Sequence, residues 1–183
     1  MARRRRTIAA TAAGAVLAGW WALWVGLAAG LTMLWTAWIG EVDAMTQDAE
    51  RSVKVAMCQI VALDGDREGN FVRIENAIRE AAGRGARIAC LPETCLLGRV
   101  NPEAHKRARA IPGEDTKRLG RLAAKYGVYV CAGLAEKAGE ELYDSAVLID
   151  PRGKLLLAHR KINTLTELMT PPYARGDTVK AVD

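Results

Sequence analysis

The chain has 183 residues, half of them hydrophobic, and a formal net charge of +5. That length suits one domain of ordinary size with a core of its own. Four of the positive charges are Arg3 to Arg6; the remainder is close to balanced and shows no basic stripe with interleaved aromatics, which argues against a nucleic-acid partner.

Arg3–Arg6 precede Thr7 to Gly40, a stretch without a single charged side chain. As a helix it would reach roughly 50 Å, against a hydrocarbon core of about 30 Å. One membrane span over residues 7–40 is expected, with Trp35 and Trp38 at the interface and the arginines on the cytoplasmic side. Two other readings stay open. Val42-Asp43-Ala44 offers small residues where an export signal is cut. Alternatively, Met45 is the true start and the domain is cytoplasmic, because Met45-Thr-Gln-Asp-Ala-Glu-Arg-Ser is a polar leader running straight into a strand. The expected division is therefore a basic N-terminus and anchor at 1–44, a linker at 45–52, and a folded domain at 53–183.

Val53 to Val61 becomes wholly apolar and predicts a strand inside a sheet. Beyond the turn at Asp64-Gly-Asp-Arg, Phe71, Ile74, Ile78 and Ala81 recur at helical spacing, with Glu75 and Arg79 as an i,i+4 pair on the exposed side. Gly83 and Gly85 signal the stop. Ile88–Leu91 is a short buried strand that Pro92 ends by withholding a donor. This β-α-β unit leaves Glu93 just past a strand end, where parallel sheets present their chemistry. A carboxylate beside buried apolar residues should be pushed up in pKa, which suits proton transfer near neutrality.

Residues 98–113 read as a loop or short irregular helix. A second amphipathic helix starts at Glu114, buries Leu119, Leu122, Ala123 and Tyr126, and ends at Gly127. Val128–Leu134 is the next strand, and Ala135–Glu141 reads as a charged turn. Asp144–Asp150 and Gly153–His159 form a hairpin around Asp150-Pro-Arg-Gly. Lys161 follows directly, at a strand end as Glu93 is. A carboxylate and an ammonium at neighbouring strand ends can serve as proton carrier and oxyanion stabiliser.

Cys58, Cys90, Cys95 and Cys131 include no Cys-x-x-Cys pair and no disulfide framework. Three lie in apolar runs that read as buried strands, where cysteine acts as a small hydrophobe. With His105 and His159 they do not match the spacing of a known metal site. No metal or cofactor is expected, and reduced thiols fit a reducing compartment.

Taken in order, the strand at 53–61, helix, strand ending Leu91-Pro92-Glu93, helix, strand at 128–134, hairpin and His159-Arg160-Lys161 resemble the nitrilase superfamily of carbon–nitrogen hydrolases. The resemblance covers residues 53 to 183. It implies an α/β fold, an α-β-β-α sandwich incomplete at its C-terminus, and hydrolysis of a small nitrile, amide or carbamoyl substrate. It also implies a Glu-Lys-Cys triad and a homo-oligomer when full length. By resemblance Glu93 matches the general base and Lys161 the cation that steadies the tetrahedral intermediate. The nucleophilic Cys of the family follows a further strand beyond the lysine, past Asp183; Cys95 does not stand in that place. The family's Tyr-Asn-Ser is Tyr143-Asp144-Ser145 here, a change to which the sequence assigns no consequence. Glu167 is too loosely spaced to be matched to a second pocket glutamate. Gly176-Asp177 resembles the Gly-Asp ahead of the strand leading to the Cys. Two alternatives remain: a membrane-anchored non-catalytic module with the same fold, and a membrane acyltransferase of the same superfamily.

Overall fold

The structure is a computed structural model that describes residues 52–182. The membrane span expected over residues 7–40, and the boundary expected near residue 44, lie outside those residues. Among the described residues, no helix is long and apolar enough to cross a membrane.

The elements are β1 (Val55–Met57), α1 (Arg67–Gly83), β2 (Ile88–Cys90), α2 (Ala104–Arg107), α3 (Glu114–Tyr126), β3 (Tyr129–Ala138), β4 (Glu141–Ile149) and β5 (Leu155–Arg160). They build a five-stranded sheet in the order β1-β2-β3-β4-β5. β1, β2 and β3 run parallel, while β3, β4 and β5 are joined antiparallel. The α/β class and the nitrilase-type arrangement follow the expectation from the sequence.

Both long helices form where apolar spacing predicts them. α1 buries Phe71, Ile74, Ile78 and Ala81, and Asp66 caps it by accepting from the Gly69 amide at 3.1 Å. α3 buries Leu119, Leu122 and Ala123 and stops at Gly127, whose φ of 66° is the left-handed turn that glycine makes without a Cβ penalty. Full burial of each large apolar side chain contributes about 1.5–3 kcal/mol, so the residues shared by α1, α3 and the inner sheet face dominate the core. Glu75 does not use Arg79 as its hydrogen-bond partner. It reaches across to α3, accepting from Lys125 Nζ at 2.7 Å and Tyr126 Oη at 3.0 Å.

Three strand expectations are corrected. β1 spans three residues, not nine, and lies at a sheet edge, where Met57 is 80% exposed. Its ladder can last only as long as its partner's, and β2 ends as the chain approaches Pro92. β3 runs on to Ala138 through the stretch read as a charged turn, because its Glu136 is paired inside the fold. Of the cysteines, Cys95 is the fully buried one, whereas Cys58, Cys90 and Cys131 are half-buried.

The sheet has two unlike faces. Ala89, Val130, Ala132, Val147 and Ile149 are buried in the cluster that includes α1 and α3 residues. The alternate positions Met57, Cys90, Cys131 and Leu148 share one register row on the opposite face and keep solvent exposure. Alternation along β4 puts Asp144 on that second face, with Ala146 and Leu148.

Candidate active site

Pro92 ends the β2 run, and the chain then turns sharply over β3. Gly133 makes that turn possible. A Cβ at Gly133 would lie 2.6 Å from Glu93 Cα, 2.8 Å from Pro92 O and 2.9 Å from Thr94 N. The two backbones are tied there by Gly133 N donating to Pro92 O at 3.2 Å and Cys95 N donating to Gly133 O at 2.9 Å. Thr94 has φ of 43° without being glycine, a conformation that costs of order 1–3 kcal/mol and marks a segment held by its surroundings.

Lys161 is delivered by the end of β5. Its amide donates to Asp144 O at 2.8 Å, and its carbonyl accepts from Gly176 N at 2.9 Å. Gly176 is constrained as Gly133 is, since a Cβ there would meet Arg160 O at 2.3 Å. That contact gives Gly176-Asp177 a structural reason.

Glu93 and Lys161, 68 positions apart, meet directly: Lys161 Nζ donates to Glu93 Oε1. The second Glu93 oxygen pairs with Arg99 Nε at 2.8 Å. Lys161 Nζ also reaches Asp144 Oδ2 at 3.2 Å. Two carboxyl groups and two cations therefore form one cluster at the ends of β2 and β5, against the less covered face of the sheet.

The electrostatics reverse one expectation. Glu93 is held below the ordinary carboxylate range, not above it, because hydrogen bonding with Asp144 and with Lys161, together with the charge of Arg99, outweighs its desolvation. The raised carboxyl is Asp144. Burial, then the hydrogen bond and negative charge of Glu93, push it up to about 6 against the pull of Lys161. Lys161 is raised, first by its hydrogen bond to Glu93, so the ammonium is charged at neutral pH. Tyr173 sits near both carboxyls; burial and their negative charge push its phenol up to about 12. Its hydroxyl is buried without a protein hydrogen-bond partner, as are those of Thr94 and Thr164.

Next to this cluster, on the opposite face of the sheet, Glu136 holds Arg160 through two hydrogen bonds of 3.0 and 2.6 Å and accepts from Ser145 Oγ at 2.6 Å. The Arg160 guanidinium stacks on Tyr143 at 3.9 Å. This network fixes the backbone on either side of Asp144 and immediately before Lys161.

The other sequence candidates lie elsewhere. Cys95 is fully buried, and burial pushes its thiol up to about 12, which makes it inert as a nucleophile. Glu167 is exposed and is bonded to Thr166 Oγ1 at 3.4 Å. His105 Nε2 lies 2.9 Å from Pro171 O. Among the described residues, no group of His, Cys, Asp or Glu is arranged to hold a metal. Arg99 and Tyr173 join the site without having been singled out from sequence. Asp144 was noted there only as the departure from the family's Tyr-Asn-Ser, and that departure was the available signal.

Comparison with known proteins identifies relatives of the folded region. The family model described as carbon-nitrogen hydrolase matches residues 54–183. A nitrilase of Pyrococcus abyssi is 39% identical over 115 residues, which cover 61% of this chain and 44% of the relative. An omega-amidase of Danio rerio is 38% identical over 96 residues, 51% of this chain and 34% of the relative. The fold matches a crystal structure of an amidase from a Nesterenkonia species with a TM-score of 0.62 at 22% identity, covering 69% of this chain and 49% of that one. The chain thus spans less than half the length of these curated relatives. With the family model matched over well more than half of its residues, the chain belongs to the carbon-nitrogen hydrolase family.

Proposed function

We propose that this chain carries the acid–base and cationic half of a hydrolase that cleaves a non-peptide C–N bond in a small nitrile, amide or carbamoyl compound. Glu93 is the general base, Lys161 stabilises the oxyanion, and the nucleophilic cysteine is supplied from beyond Asp183. The observation that carries the reading is the direct Glu93–Lys161 pair at two strand ends. Among the described residues, Glu93 and Lys161 are partnered by each other, Arg99 and Asp144, not by a thiol. Burial pushes the Cys58, Cys95 and Cys131 thiols up, away from easy ionisation.

For an amide, the chemistry runs as follows. Glu93 takes the thiol proton, and the thiolate attacks the carbonyl carbon. The tetrahedral oxyanion forms beside Lys161, Glu93 returns the proton to the departing nitrogen, and ammonia leaves a thioester. Glu93 then takes a proton from water, hydroxide adds to the thioester, and carboxylic acid and thiol are released. The low pKa of Glu93 makes it ionised and ready in the resting site. As the oxyanion develops, the Lys161 ammonium turns part of its hydrogen bonding to the new charge. Glu93 loses that stabilisation and becomes a stronger base at the moment it must hold a proton.

The test is ammonia release from a panel of short nitriles, primary amides and carbamoyl compounds by the full-length protein. Glu93→Gln and Lys161→Met should each lower kcat by at least about 100-fold with the far-UV spectrum unchanged. Turnover that survives both substitutions refutes the assignment; no turnover by the unmodified protein favours a non-catalytic module. We also propose that residues 7–40 anchor the protein in a membrane, an idea supported by their uninterrupted lack of charge after Arg3–Arg6. Release of the protein from membranes by alkaline carbonate would refute it.

A further inference from the structure

We infer that Asp144 is a positioning residue for this site: it clamps Lys161 and shares one proton with Glu93, so that a carboxyl pair, and not Glu93 alone, sets the basicity available to the reaction. The inference rests on the reading of Glu93 as base, and it adds a residue to which the sequence assigns no role.

Three geometric facts carry it. Asp144 holds Lys161 at both ends: its carbonyl accepts from the Lys161 amide at 2.8 Å, and its Oδ2 lies 3.2 Å from Lys161 Nζ. The same ammonium is hydrogen-bonded to Glu93, so one cation bridges two carboxyl groups. Asp144 is buried, only 8% exposed, on a strand whose backbone is locked by β3 and β5. It cannot swing out to solvent.

Among the described residues, the charged or titratable groups shown to act on Asp144 or to sit beside it belong to this cluster, while on the same sheet face β5 carries His159 opposite Ala146 and β3 carries Lys137 opposite Leu142. From the turn after β2 come Glu93 and, on its far oxygen, Arg99. From the end of β5 comes Lys161, and from the segment beyond it Tyr173, whose phenol stays neutral. On β3 its register partner is Ala135, which brings no charge. Two carboxylates facing one shared ammonium titrate as a unit, with macroscopic steps that belong to the pair. When the pair is fully ionised, Asp144 adds negative potential beside Glu93 and strengthens it as a base. When the pair holds one proton, that proton lies mainly on Asp144, whose hydroxyl donates to Glu93 and weakens it. A plain Asp–Lys ion pair that only anchored the lysine would have no such consequence.

The two cases separate in a carboxyl-carbon NMR titration of the full chain labelled at Asp and Glu, which needs no turnover. The expected result is that the Glu93 and Asp144 resonances each show two steps, one of them near 6. In Asp144→Asn, Glu93 should titrate in a single step. A single Asp144 step in the ordinary carboxylate range, with a Glu93 curve indifferent to Asp144→Asn, overturns the inference. If Asp144→Asn does not fold, Lys161→Met gives the second reading: removing the shared cation must move both resonances upward together, and movement of Glu93 alone refutes the sharing. In the active full-length enzyme, kcat/KM should fall below pH 6 in the unmodified protein, and Asp144→Asn should abolish that limb. Coupled titration without turnover would refute the proposed function alone; turnover without coupled titration would refute this inference alone.

Discussion

The tightest link between fold and site is Gly133, and Gly133→Ala is the perturbation that measures it. The added methyl carbon would lie 2.6, 2.8 and 2.9 Å from Glu93 Cα, Pro92 O and Thr94 N, all backbone or Cα atoms with no rotamer to yield. Overpacking of this kind costs about 1–3 kcal/mol. Straining the two hydrogen bonds between Gly133 and the Pro92–Cys95 turn adds up to about 1 kcal/mol each. The expected loss is therefore about 2–4 kcal/mol. With an m-value of ~1.5 kcal/mol/M, that lowers the urea midpoint by roughly 1.3–2.7 M. The assay is far-UV circular dichroism, since all five tryptophans lie between Trp20 and Trp38, outside the described residues. Gly85→Ala is the matched control. Gly85 has φ of 75° with no atom within 4 Å of an added Cβ, so it should cost only the ~1–2 kcal/mol of a left-handed alanine. A Gly133→Ala midpoint no lower than that of Gly85→Ala would refute the close approach that positions Glu93.

Glu136→Ala should destabilise the fold by roughly 1–3 kcal/mol in urea melts. It strips Ser145 and Arg160 of their acceptor, the loss being moderated because Arg160 is 40% exposed. The Glu136 carboxyl is pushed up by burial, but hydrogen bonds from Arg160 and Ser145 win, and its net shift is downward. Its contribution is therefore present above the unfolded value of about 4.3 and lost as pH falls through the folded one. Asp144 has the opposite sign. Its folded value of about 6 lies above the unfolded ~3.9, so stability drains away between pH 4 and 6, by at most about 3 kcal/mol. Thermal melts at pH 4.5 and 7.5 should show that fall in the unmodified chain and a smaller one in Asp144→Asn; equal falls would contradict the raised carboxyl. Iodoacetamide at pH 7.5 should leave Cys95 unmodified in the folded chain, as mass-mapped peptides would show. Residues 1–183 alone should release no ammonia from amides or nitriles; measurable turnover would mean that the nucleophile lies within them.

How much of this was legible in the sequence depends on how local each signal is. Phe71, Ile74, Ile78 and Ala81 announce α1 because helical spacing repeats within a few turns, and Gly127 announces the end of α3 in a single residue. Glu93 could be placed at a strand end because Pro92 fixes where its strand stops, and Lys161 because the Asp150–Gly153 turn fixes where its strand begins; the family resemblance then named the pair. The extension of β3 through Glu136 could not be read. A glutamate and a lysine in sequence look like a turn, and the partner that internalises Glu136 is Arg160, 24 positions later. The pKa directions failed for the same reason. Burial beside apolar residues argued for a raised Glu93, but the hydrogen bonds and charges that lower it come from Asp144, Lys161 and Arg99, on three different segments. Edge position is equally non-local: Val53–Val61 reads as an interior strand, yet its ladder is limited by Pro92 on its neighbour.

The charged cluster is set by backbone more than by side-chain packing. At both delivery points, the end of β2 and the end of β5, a glycine admits a neighbouring main chain to a distance no side chain would allow, and amide–carbonyl bonds fasten it there. Between them Asp144 takes Lys161 by its own carbonyl and its own carboxylate. All these ties lie within residues 92–176. The Glu93–Lys161–Asp144 arrangement is therefore complete in a stretch that spans less than half of the relatives' length, on the sheet face the helices leave less covered. On the proposed function, a nucleophile brought to that face would meet a carboxylate and a cation already held in place. The entropic cost of gathering them would have been met by the folding of the sheet itself.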